Sequence, residues 1–330
     1  MMNKLSPFIS VLLPVRNGEQ YLRDAINSVL KQSFLNFELI VINDGSTDST
    51  LGILESYNDK RIIILNTKGI GLVKALNMGL EQCSGNYVAR MDADDICMPD
   101  RFEEQIAVFE SDNLIGVICS DVILIDENNN EVGFSKDASI YNFEYLENGL
   151  TYKQAMKPII HPTVMLKTAL LKEVGGYRDY LACEDRDLWL RLICRTKFYR
   201  IKQPLLKYRL NHEGVSSRLQ NKQTVSGMLC VLNYNFLKSN KVDLYNYDLN
   251  LHDHFRKYIS TSVDPIISNA EVLSKFKKKI RGKNKVVKLV VLLLPKYSIP
   301  IINHVFFNRR KKIAIIKKAT NILEAFLKLN

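Results

Sequence analysis

The sequence predicts an α/β fold built on a doubly wound mixed sheet, and three observations support this prediction. Between residue 8 and about residue 120, short apolar runs alternate with helical patterns at regular spacing, as expected when helices cover both faces of a sheet. Polar clusters follow the predicted strands directly, where open parallel sheets bind ligands. The chain of 330 residues is 46% hydrophobic and 25% charged, which indicates a folded protein with a substantial core.

The first strands and helices follow from hydrophobic periodicity. The continuous apolar run Ile9–Val15 predicts a buried parallel strand. The apolar residues from Leu22 to Leu30 then recur at the spacing of a helix with one buried face. The same reasoning predicts strands at 37–43, 62–66, 87–91 and 115–120, and helices near 72–83 and 102–109.

After residue 120 the pattern changes. Apolar runs at 122–125 and 132–134 flank a polar turn, which predicts a hairpin and therefore a mixed sheet. A short helix is predicted around residues 188–193, a late strand at 205–209, and helices from about residue 221. We therefore expect a sheet-bearing domain at 1–220 and a helical region at 221–330.

Positive charge is concentrated in the last quarter of the chain. Residues 256–330 contain 18 Lys or Arg and three acidic residues, a net charge of +15, whereas residues 1–255 contain 28 Lys or Arg and 32 acidic residues, a net charge of −4. Such asymmetry indicates an anionic partner.

The order of blocks in this basic region favours a membrane surface as that partner. Basic runs at 275–285 and 309–312 bracket apolar blocks at 286–294 and 299–307, which suits lysines on anionic headgroups and aliphatic side chains in the interface. No apolar run is long enough to span a bilayer. The alternative is a set of amphipathic helices packed on the main domain with solvated lysines. No nucleic-acid-binding module is recognisable, so no nucleic-acid partner is expected.

The cysteines and the N-terminal residues bear on the compartment. The six cysteines are scattered, without a Cys-x-x-Cys pair, which favours reduced thiols over a disulfide or zinc framework. The first seven residues lack the apolar region and cleavage site of a secretion signal. We therefore expect a cytoplasmic protein.

An acidic cluster, Asp92-Ala93-Asp94-Asp95, follows the predicted strand 87–91. Three carboxylates in four residues repel one another unless a cation neutralises them, and oxygen ligands suit Mg²⁺ or Mn²⁺. The alternative is an acidic surface turn.

Other polar residues could act beside this cluster. Asp44, at the end of strand 37–43, could accept hydrogen bonds from a nucleobase or ribose, or could begin an Asx turn. Glu184-Asp185 could supply a general base, or could stabilise a helix N-terminus. His212 could help to hold a diphosphate or metal, and Arg209 offers a charge-assisted donor. The alternative for His212, and equally for His161, is an ordinary surface residue.

Two common nucleotide motifs are missing. Gly69-Ile70-Gly71 lacks the third glycine of the dinucleotide fingerprint and follows the third predicted strand, and no Gly-x-x-x-x-Gly-Lys-Ser/Thr loop occurs. A nicotinamide oxidoreductase and a P-loop ATPase are therefore poor interpretations.

Four segments in order resemble the family 2 glycosyltransferases, inverting enzymes of the GT-A fold. They are residues 10–19 (SVLLPVRNGE), 41–48 (VINDGSTD), 91–95 (MDADD) and 184–189 (EDRDLW), and the similarity covers roughly 9–217. The resemblance implies a GT-A catalytic domain at 1–220, with the basic helical region 221–330 as an extension.

The resemblance also implies site residues. Pro14 and Val15 would line the nucleotide pocket, with Asp44 on the base, expected to be uracil, and Lys74 as a basic nucleotide contact. Asp92 would face the ribose and Asp94 the metal, Mn²⁺ or Mg²⁺, and Asp185 would be the general base. The other implied donor contacts are Ala93 between the two aspartates and a late motif of Arg209, His212 and Ser216, with His212 also a metal ligand.

The implied activity is transfer of one sugar, with inversion, from a nucleotide sugar to a glycan hydroxyl. Trp189 has no preceding Gln-x-x-Arg, so the motif of the processive synthases is absent. This absence indicates an enzyme that adds one sugar per encounter. The basic region suggests a lipid-linked acceptor in bacterial polysaccharide or lipooligosaccharide assembly, at the inner face of the cytoplasmic membrane. Two alternatives remain: an inactive nucleotide- or carbohydrate-binding module, and a nucleotidyltransferase.

Overall fold

The structure is a computed structural model that describes residues 8–135, 159–180, 183–193 and 195–211, and residues 227, 230, 233 and 234. The chain divides into two compact units, residues 1–149, 157–179 and 184–212, and residues 150–156, 180–183 and 213–330. In the second unit the buried Cys230 thiol lies 3.9 Å from the Cys183 carbonyl oxygen. The predicted helical region 221–330 lies almost wholly outside the described residues, and the boundary at residue 220 stays a prediction.

Within the described residues of the first unit, nine strands form one mixed sheet, which confirms the predicted fold class. The strands are β1 (Ile9–Val15), β2 (Phe37–Asp44), β3 (Ile62–Thr67), β4 (Tyr87–Arg90), β5 (Ile96–Cys97), β6 (Ile115–Ile125), β7 (Glu131–Ser135), β8 (Met165–Lys167) and β9 (Lys197–Arg209). Their order is β3-β2-β1-β4-β8-β6-β9-β5, and β7 pairs with β6.

The helices cover the faces of this sheet. They are α1 (Leu22–Leu30), α2 (Thr50–Glu55), α3 (Leu72–Gln82), α4 (Arg101–Ser111), α5 (Thr168–Glu173) and α6 (Glu184–Leu192), with a 3₁₀ turn at His161–Thr163. Helix α1 buries Leu22, Ala25, Ile26 and Val29, the face that the sequence predicts. Helix α3 lies close to the sheet at Gly79, where an added Cβ would fall 2.3 Å from the Leu12 side chain.

The first four strands in the order, β3-β2-β1-β4, are parallel. β1 pairs with β2 along its whole length, from Ile9↔Phe37 to Val15↔Asn43, and with β4 only as far as Leu12↔Arg90. Every residue of β1 is buried, because the strand has a neighbour on each side and helices on both faces. This burial explains why its sequence is a continuous apolar run.

The other half of the sheet contains the antiparallel strands. β8 lies antiparallel between β4 and β6, and β6 pairs in parallel with β9. β5 pairs antiparallel with β9 through Ile96↔Lys207. This short pairing fixes the segment after β4 against the end of β9.

Three features of this half differ from the sequence-based expectation. β8 is not predicted, because three residues are too few to show a period. β6 runs without a break through 115–125, where the sequence suggests two strands. β9 begins at Lys197, eight residues before the predicted strand. Its first half buries only Phe198 and Ile201, three residues apart, and so shows neither a continuous apolar run nor the two-residue period of a strand.

Candidate active site

The parallel strands β1, β2 and β4 end side by side, and their following loops form the candidate site. Leu12 accepts a backbone hydrogen bond from Met91, just after β4. Pro14 lies two residues further along β1, so a backbone N–H at its position would point to the same side as that of Leu12. The last β1–β4 pair is Leu12↔Arg90, so no residue of β4 lies opposite Pro14. The missing N–H of this proline therefore breaks no ladder bond. Pro14 and Val15 are both buried.

The loops after β1 and β2 are joined by reciprocal hydrogen bonds. The Asn17 backbone N–H donates to Ser46 Oγ, and the Asn17 side-chain oxygen accepts from the Thr47 N–H, both at 2.9 Å. The Glu19 N–H donates to Asp48 Oδ2 at 3.1 Å, and Glu19 Oε2 accepts from the Ser49 N–H at 2.9 Å. Two loops that would otherwise be independent are thus held in one arrangement.

Asp44 is buried at the end of β2, where it accepts three hydrogen bonds. Its Oδ1 accepts from Thr67 Oγ1 at 2.5 Å and from the Ile70 N–H at 2.7 Å, and its Oδ2 accepts from the Gly71 N–H at 2.8 Å. Burial opposes ionisation, but these bonds and the charge of Arg16 hold the pKa of Asp44 below its usual value. Asp44 is therefore an ionised anchor for the loop before α3.

The structure does not support the Asx-turn interpretation of Asp44. The side chain that accepts from the Ser46 N–H is that of Asn43, at 3.3 Å, and Asp48 accepts from Thr50 at 3.0 Å. Asp44 Oδ2 accepts one bond in the described residues, and a carboxylate oxygen can accept two. This oxygen can therefore accept a further N–H donor.

Lys74 lies exposed in the first turn of α3. The helix begins after Gly71, whose N–H is bound to Asp44 and whose φ of +90° suits glycine. The side chain of Lys74 is thus free to face solvent near the Asp44 anchor, which suits a contact to an anion.

The acidic cluster lies between β4 and β5. Asp92, Asp94 and Asp95 each have one carboxylate oxygen that lies within 4.8 Å of such an oxygen of the other two residues. Burial first, and then the charge of Asp92, raises the pKa of Asp94 and raises that of Asp95 well above its usual value. Asp95 Oδ2 is buried and has no hydrogen-bond partner in the described residues. This set of crowded oxygen ligands fits a hard divalent cation, which would relieve the repulsion.

Arg209, at the end of β9, holds the acidic cluster in place. Its backbone N–H donates to Asp95 Oδ1 at 2.9 Å, and its Nε donates to the Asp94 carbonyl oxygen at 2.8 Å. Its Nη1 and Nη2 donate to the turn at Asp126 and Asn129, both at 2.6 Å, and Tyr21 packs on the guanidinium at 4.0 Å. Arg209 is 2% exposed, so these contacts give it a positioning role, and its predicted donor contact stays a prediction.

Glu184 and Asp185 form the first turn of α6, so they begin this helix and do not precede it as the sequence suggests. Glu184 is buried and Asp185 is partly exposed. Burial, and then the charge of Asp185, raises the pKa of Glu184 to about 8. Burial also raises the pKa of Asp185, against the opposing charge of Arg186 and that residue's N–H, which donates to Asp185 Oδ1 at 2.6 Å.

Arg90 and Tyr177 lie between the acidic cluster and α6, and sequence reasoning missed both. Arg90 Nη2 pairs with Asp92 Oδ1 at 2.7 Å, and its charge acts on Tyr177, Glu184 and Asp185. The sequence does contain a signal that could have identified Arg90. It is a charged residue at the end of a buried strand, just before an acidic cluster. Nothing in the sequence around Tyr177 distinguishes it from other tyrosines.

His161 belongs to the same region. Its Nε2 lies 3.0 Å from the Tyr177 hydroxyl, and its ring is 5.7 Å from that of Trp189. Burial, and then the charge of Arg90, holds the pKa of His161 well below its usual value, so this histidine is neutral. It is therefore a packed residue of the site wall. His212 and Ser216 lie outside the described residues.

Sequence comparisons identify related proteins. Residues 10–175 match the family model described as glycosyl transferase family 2. An uncharacterized glycosyltransferase of Rickettsia typhi is 32% identical over 222 residues, 66% of this chain and 69% of the relative. Another, from Haemophilus influenzae, is 34% identical over 228 residues, 66% of this chain and 70% of the relative.

Solved structures share the fold at low sequence identity. Staphylococcus aureus TarS in complex with UDP-GlcNAc has a TM-score of 0.59 and 19% identity, over 95% of this chain and 90% of that one. The mannosyltransferase PcManGT of Pyrobaculum calidifontis, in complex with GDP-Man and Mn²⁺, has a TM-score of 0.53 and 15% identity, over 97% of this chain and 87% of that one. Together with the family match, these similarities settle the class of the protein. The chain belongs to glycosyl transferase family 2 and is a glycosyltransferase of the GT-A fold.

Proposed function

We propose that the protein transfers one sugar, with inversion, from a UDP-sugar to a hydroxyl of a lipid-linked glycan acceptor. The observation that carries this proposal is the arrangement of acids along one sheet edge. Asp44 is an ionised anchor beside β1, and Asp92–Asp95 form a crowded cluster after β4. The charge of Arg90 acts on both Glu184 and Asp185, and that of Asp92 acts on Glu184.

The nucleotide lies, in this proposal, over the ends of β1 and β2. Pro14 and Val15 form the apolar wall, and Asp44 Oδ2 accepts the N–H of the uracil base. Lys74 on α3 provides a positive charge for the nucleotide. The complexes of TarS with UDP and UDP-GlcNAc, a protein of similar fold, are consistent with a uridine donor.

The diphosphate lies at the acidic cluster. Asp92 binds the ribose, Ala93 allows close approach of the donor, and Asp94 is the metal ligand, with His212 as a second ligand and Ser216 as a phosphate contact. Arg209 holds the Asp94 and Asp95 segment in position. A bound Mn²⁺ or Mg²⁺ would stabilise the negative charge on the leaving diphosphate as a Lewis acid.

Asp185 acts as the general base. An acceptor hydroxyl is a poor nucleophile at neutral pH, so a carboxylate must take its proton as the oxygen attacks the anomeric carbon. The bond from that carbon to the diphosphate breaks in the same displacement, which inverts the anomeric centre. Asp185 suits this role better than Glu184, because Asp185 is the more exposed and Glu184 is held protonated at neutral pH by a pKa of about 8.

The acceptor and location are proposed from the charge distribution. The net charge of +15 over residues 256–330 would hold the protein on an anionic membrane surface, where a lipid-linked oligosaccharide is found. We place the enzyme at the inner face of the cytoplasmic membrane, in bacterial polysaccharide or lipooligosaccharide assembly. No helix in the described part of the chain has the length and apolar character needed to cross a bilayer.

The test is a nucleotide-release assay over a panel of UDP-, GDP- and dTDP-sugars with Mn²⁺ and no acceptor. We expect slow release of UDP from one donor by the wild type, and at least a hundredfold less from Asp94→Ala, because removal of one group that stabilises charge in a transition state costs about that factor. Release of pyrophosphate from a nucleoside triphosphate would instead indicate a nucleotidyltransferase. A folded protein without turnover or metal-dependent UDP binding would indicate an inactive module.

A further inference from the structure

Arg90 is a buried charge that the proposed mechanism does not use. It is the last residue of β4 and is 2% exposed. Its Nη2 pairs with Asp92 Oδ1 at 2.7 Å, and its Nη1 donates to the Met91 carbonyl oxygen. Its Nε is buried and has no hydrogen-bond partner in the described residues. Burial of a guanidinium is unfavourable unless acids compensate the charge.

Acidic residues from two elements surround Arg90. Asp92, which pairs with it directly, and Asp95 belong to the segment after β4, and Asp185 and the protonated Glu184 belong to α6. Neutral groups complete the surroundings: His161 in the 3₁₀ turn and Tyr177 in the segment between α5 and α6. The charge of Arg90 lowers the pKa of Asp95, Glu184, Asp185, Tyr177 and His161, and so favours the ionised acid or the neutral imidazole.

Hydrogen bonds hold the backbone of Arg90 as well as its guanidinium, which Asp92 and the Met91 carbonyl oxygen hold. Its N–H donates to the Val164 carbonyl oxygen at 2.9 Å, and its carbonyl oxygen accepts from Arg101 Nη2 at 2.9 Å. Arg101, on α4, is itself fully buried and also donates to the Val164 carbonyl oxygen at 3.3 Å. A side chain anchored in this way can orient Asp92 while its charge faces α6.

We propose that Arg90 is a positioning residue that joins the two sides of the active site, because it holds Asp92 on the donor side and supplies the buried positive charge that faces Asp185 and Glu184 on the acceptor side. This inference rests on the proposed function only in that it calls the Asp92 side the donor side and the Asp185 side the acceptor side. Removal of the charge leaves Asp185 beside Glu184 and the acidic cluster with less compensation, so Asp185 takes up a proton more readily.

The first test measures this effect without any substrate. The carboxyl carbons of the full-length protein, labelled with ¹³C in Asp and Glu, are titrated by NMR, and Asp185→Asn assigns the Asp185 signal. We expect the Asp185 midpoint to rise by about one pH unit in Arg90→Met, the lower end of the effect of a nearby opposite charge. Arg90→Gln provides the same test if the methionine variant does not fold. An unchanged midpoint in either folded variant overturns the proposal.

Arg90→Lys separates charge from hydrogen-bond geometry. This variant keeps the positive charge, so its Asp185 midpoint should stay within about 0.3 units of the wild type, while the KM for the donor rises severalfold because lysine lacks the planar guanidinium fork. A midpoint that rises as far in Arg90→Lys as in Arg90→Met would show that packing, not charge, is responsible, and would overturn the proposal.

The kinetic test uses the donor that the nucleotide-release assay selects. In the Met and Gln variants of Arg90, the acidic limb of the kcat profile should move up by the same unit, so that kcat at a given pH on that limb is about tenfold lower than in the wild type. The matched control is Arg191→Lys. Arg191 is a buried arginine of α6 that pairs with Asp187 at 2.8 Å. This substitution should lower thermal stability and leave the acidic limb of the kcat profile unchanged. A folded wild type that neither releases nucleotide nor binds UDP in the presence of metal refutes the proposed function. An active wild type whose acidic limb is the same in the Arg90 variants refutes only the role of Arg90.

Discussion

The two acids at the start of α6 have different surroundings, and the difference decides which can accept a proton at neutral pH. Glu184 is 8% exposed, and burial with the neighbouring Asp185 charge raises its pKa to about 8. Asp185 is partly exposed and accepts the Arg186 N–H. A carboxyl that is still protonated at pH 7 cannot act as a base, so Asp185 is the better candidate.

Asp185→Asn should therefore remove transfer while donor binding stays nearly intact. The amide has almost the same size and cannot take a proton, so we expect kcat to fall by about 10² to 10⁴, the usual contribution of a general base, with the Kd for UDP within about twofold. Transfer rates and calorimetry of UDP binding measure the two quantities. Glu184→Gln, which mimics the protonated Glu184, should lose much less activity, and the reverse pattern would assign the base to Glu184.

At the residue level, sequence reasoning located the acids but not their partners. Asp44, Asp92, Asp94 and Asp185 stand out because a carboxylate after a buried strand or at a helix start is a local signal. The contacts that fix their protonation are non-local. Thr67, which donates to Asp44 across 23 positions, belongs to another strand, and the charge of Arg90 reaches α6 from nearly a hundred positions away.

At the level of elements, the loop after β1 depends on the loop after β2. The Asn17 φ of +54° lies in the left-handed region, which asparagine tolerates better than most residues, and its side chain holds the Thr47 N–H. The residues that line the nucleotide pocket in our proposal are thus placed partly by hydrogen bonds between two connections, and not by either connection alone.

Asn17→Ala should weaken the connection between the loop after β1 and the loop after β2. The substitution removes the bond to Thr47 and places alanine at a positive φ, so we expect a loss of about 1–2 kcal/mol in the free energy of unfolding and a severalfold rise in the donor KM. Denaturant unfolding and donor kinetics measure these effects. Asn17→Gly, which removes the side-chain bond without the steric penalty, should lose less stability, and equal losses would mean that the backbone conformation contributes nothing.

The parallel half of the sheet could be predicted from the sequence, and much of the antiparallel half could not. β1 matches the predicted bounds at both ends, and β2 extends one residue further than predicted, because strands buried on both faces are continuous apolar runs. β8 and the first half of β9 lack such runs, and their pairing with β6 joins segments that are distant in sequence. Strand segments without such a run are fixed by tertiary partners and not by local preference.

At the scale of the whole molecule, the charge is divided between an acidic body and a basic C-terminal region. Residues 1–255 carry a net charge of −4 and residues 256–330 a net charge of +15. The acidic body would be repelled by an anionic bilayer, whereas each Lys or Arg near such a surface contributes about 1 kcal/mol of attraction. The proposed membrane association therefore depends on the C-terminal region, and its salt dependence should be strong.

Neutralising part of this region in the full-length chain tests that association. We expect the wild type to sediment with vesicles that contain anionic lipid, and binding to fall at least tenfold when Lys277, Lys278, Lys279, Arg309 and Arg310 are replaced by Gln, because five attractive charges are lost. The matched control replaces five exposed cations of the body: Arg23, Lys31, Lys60, Arg195 and Lys202. Control and tail variants change the net charge equally, so equal losses of binding would show that total charge, and not the C-terminal region, drives association. Equal binding of the wild type to neutral and anionic vesicles would contradict an electrostatic mechanism.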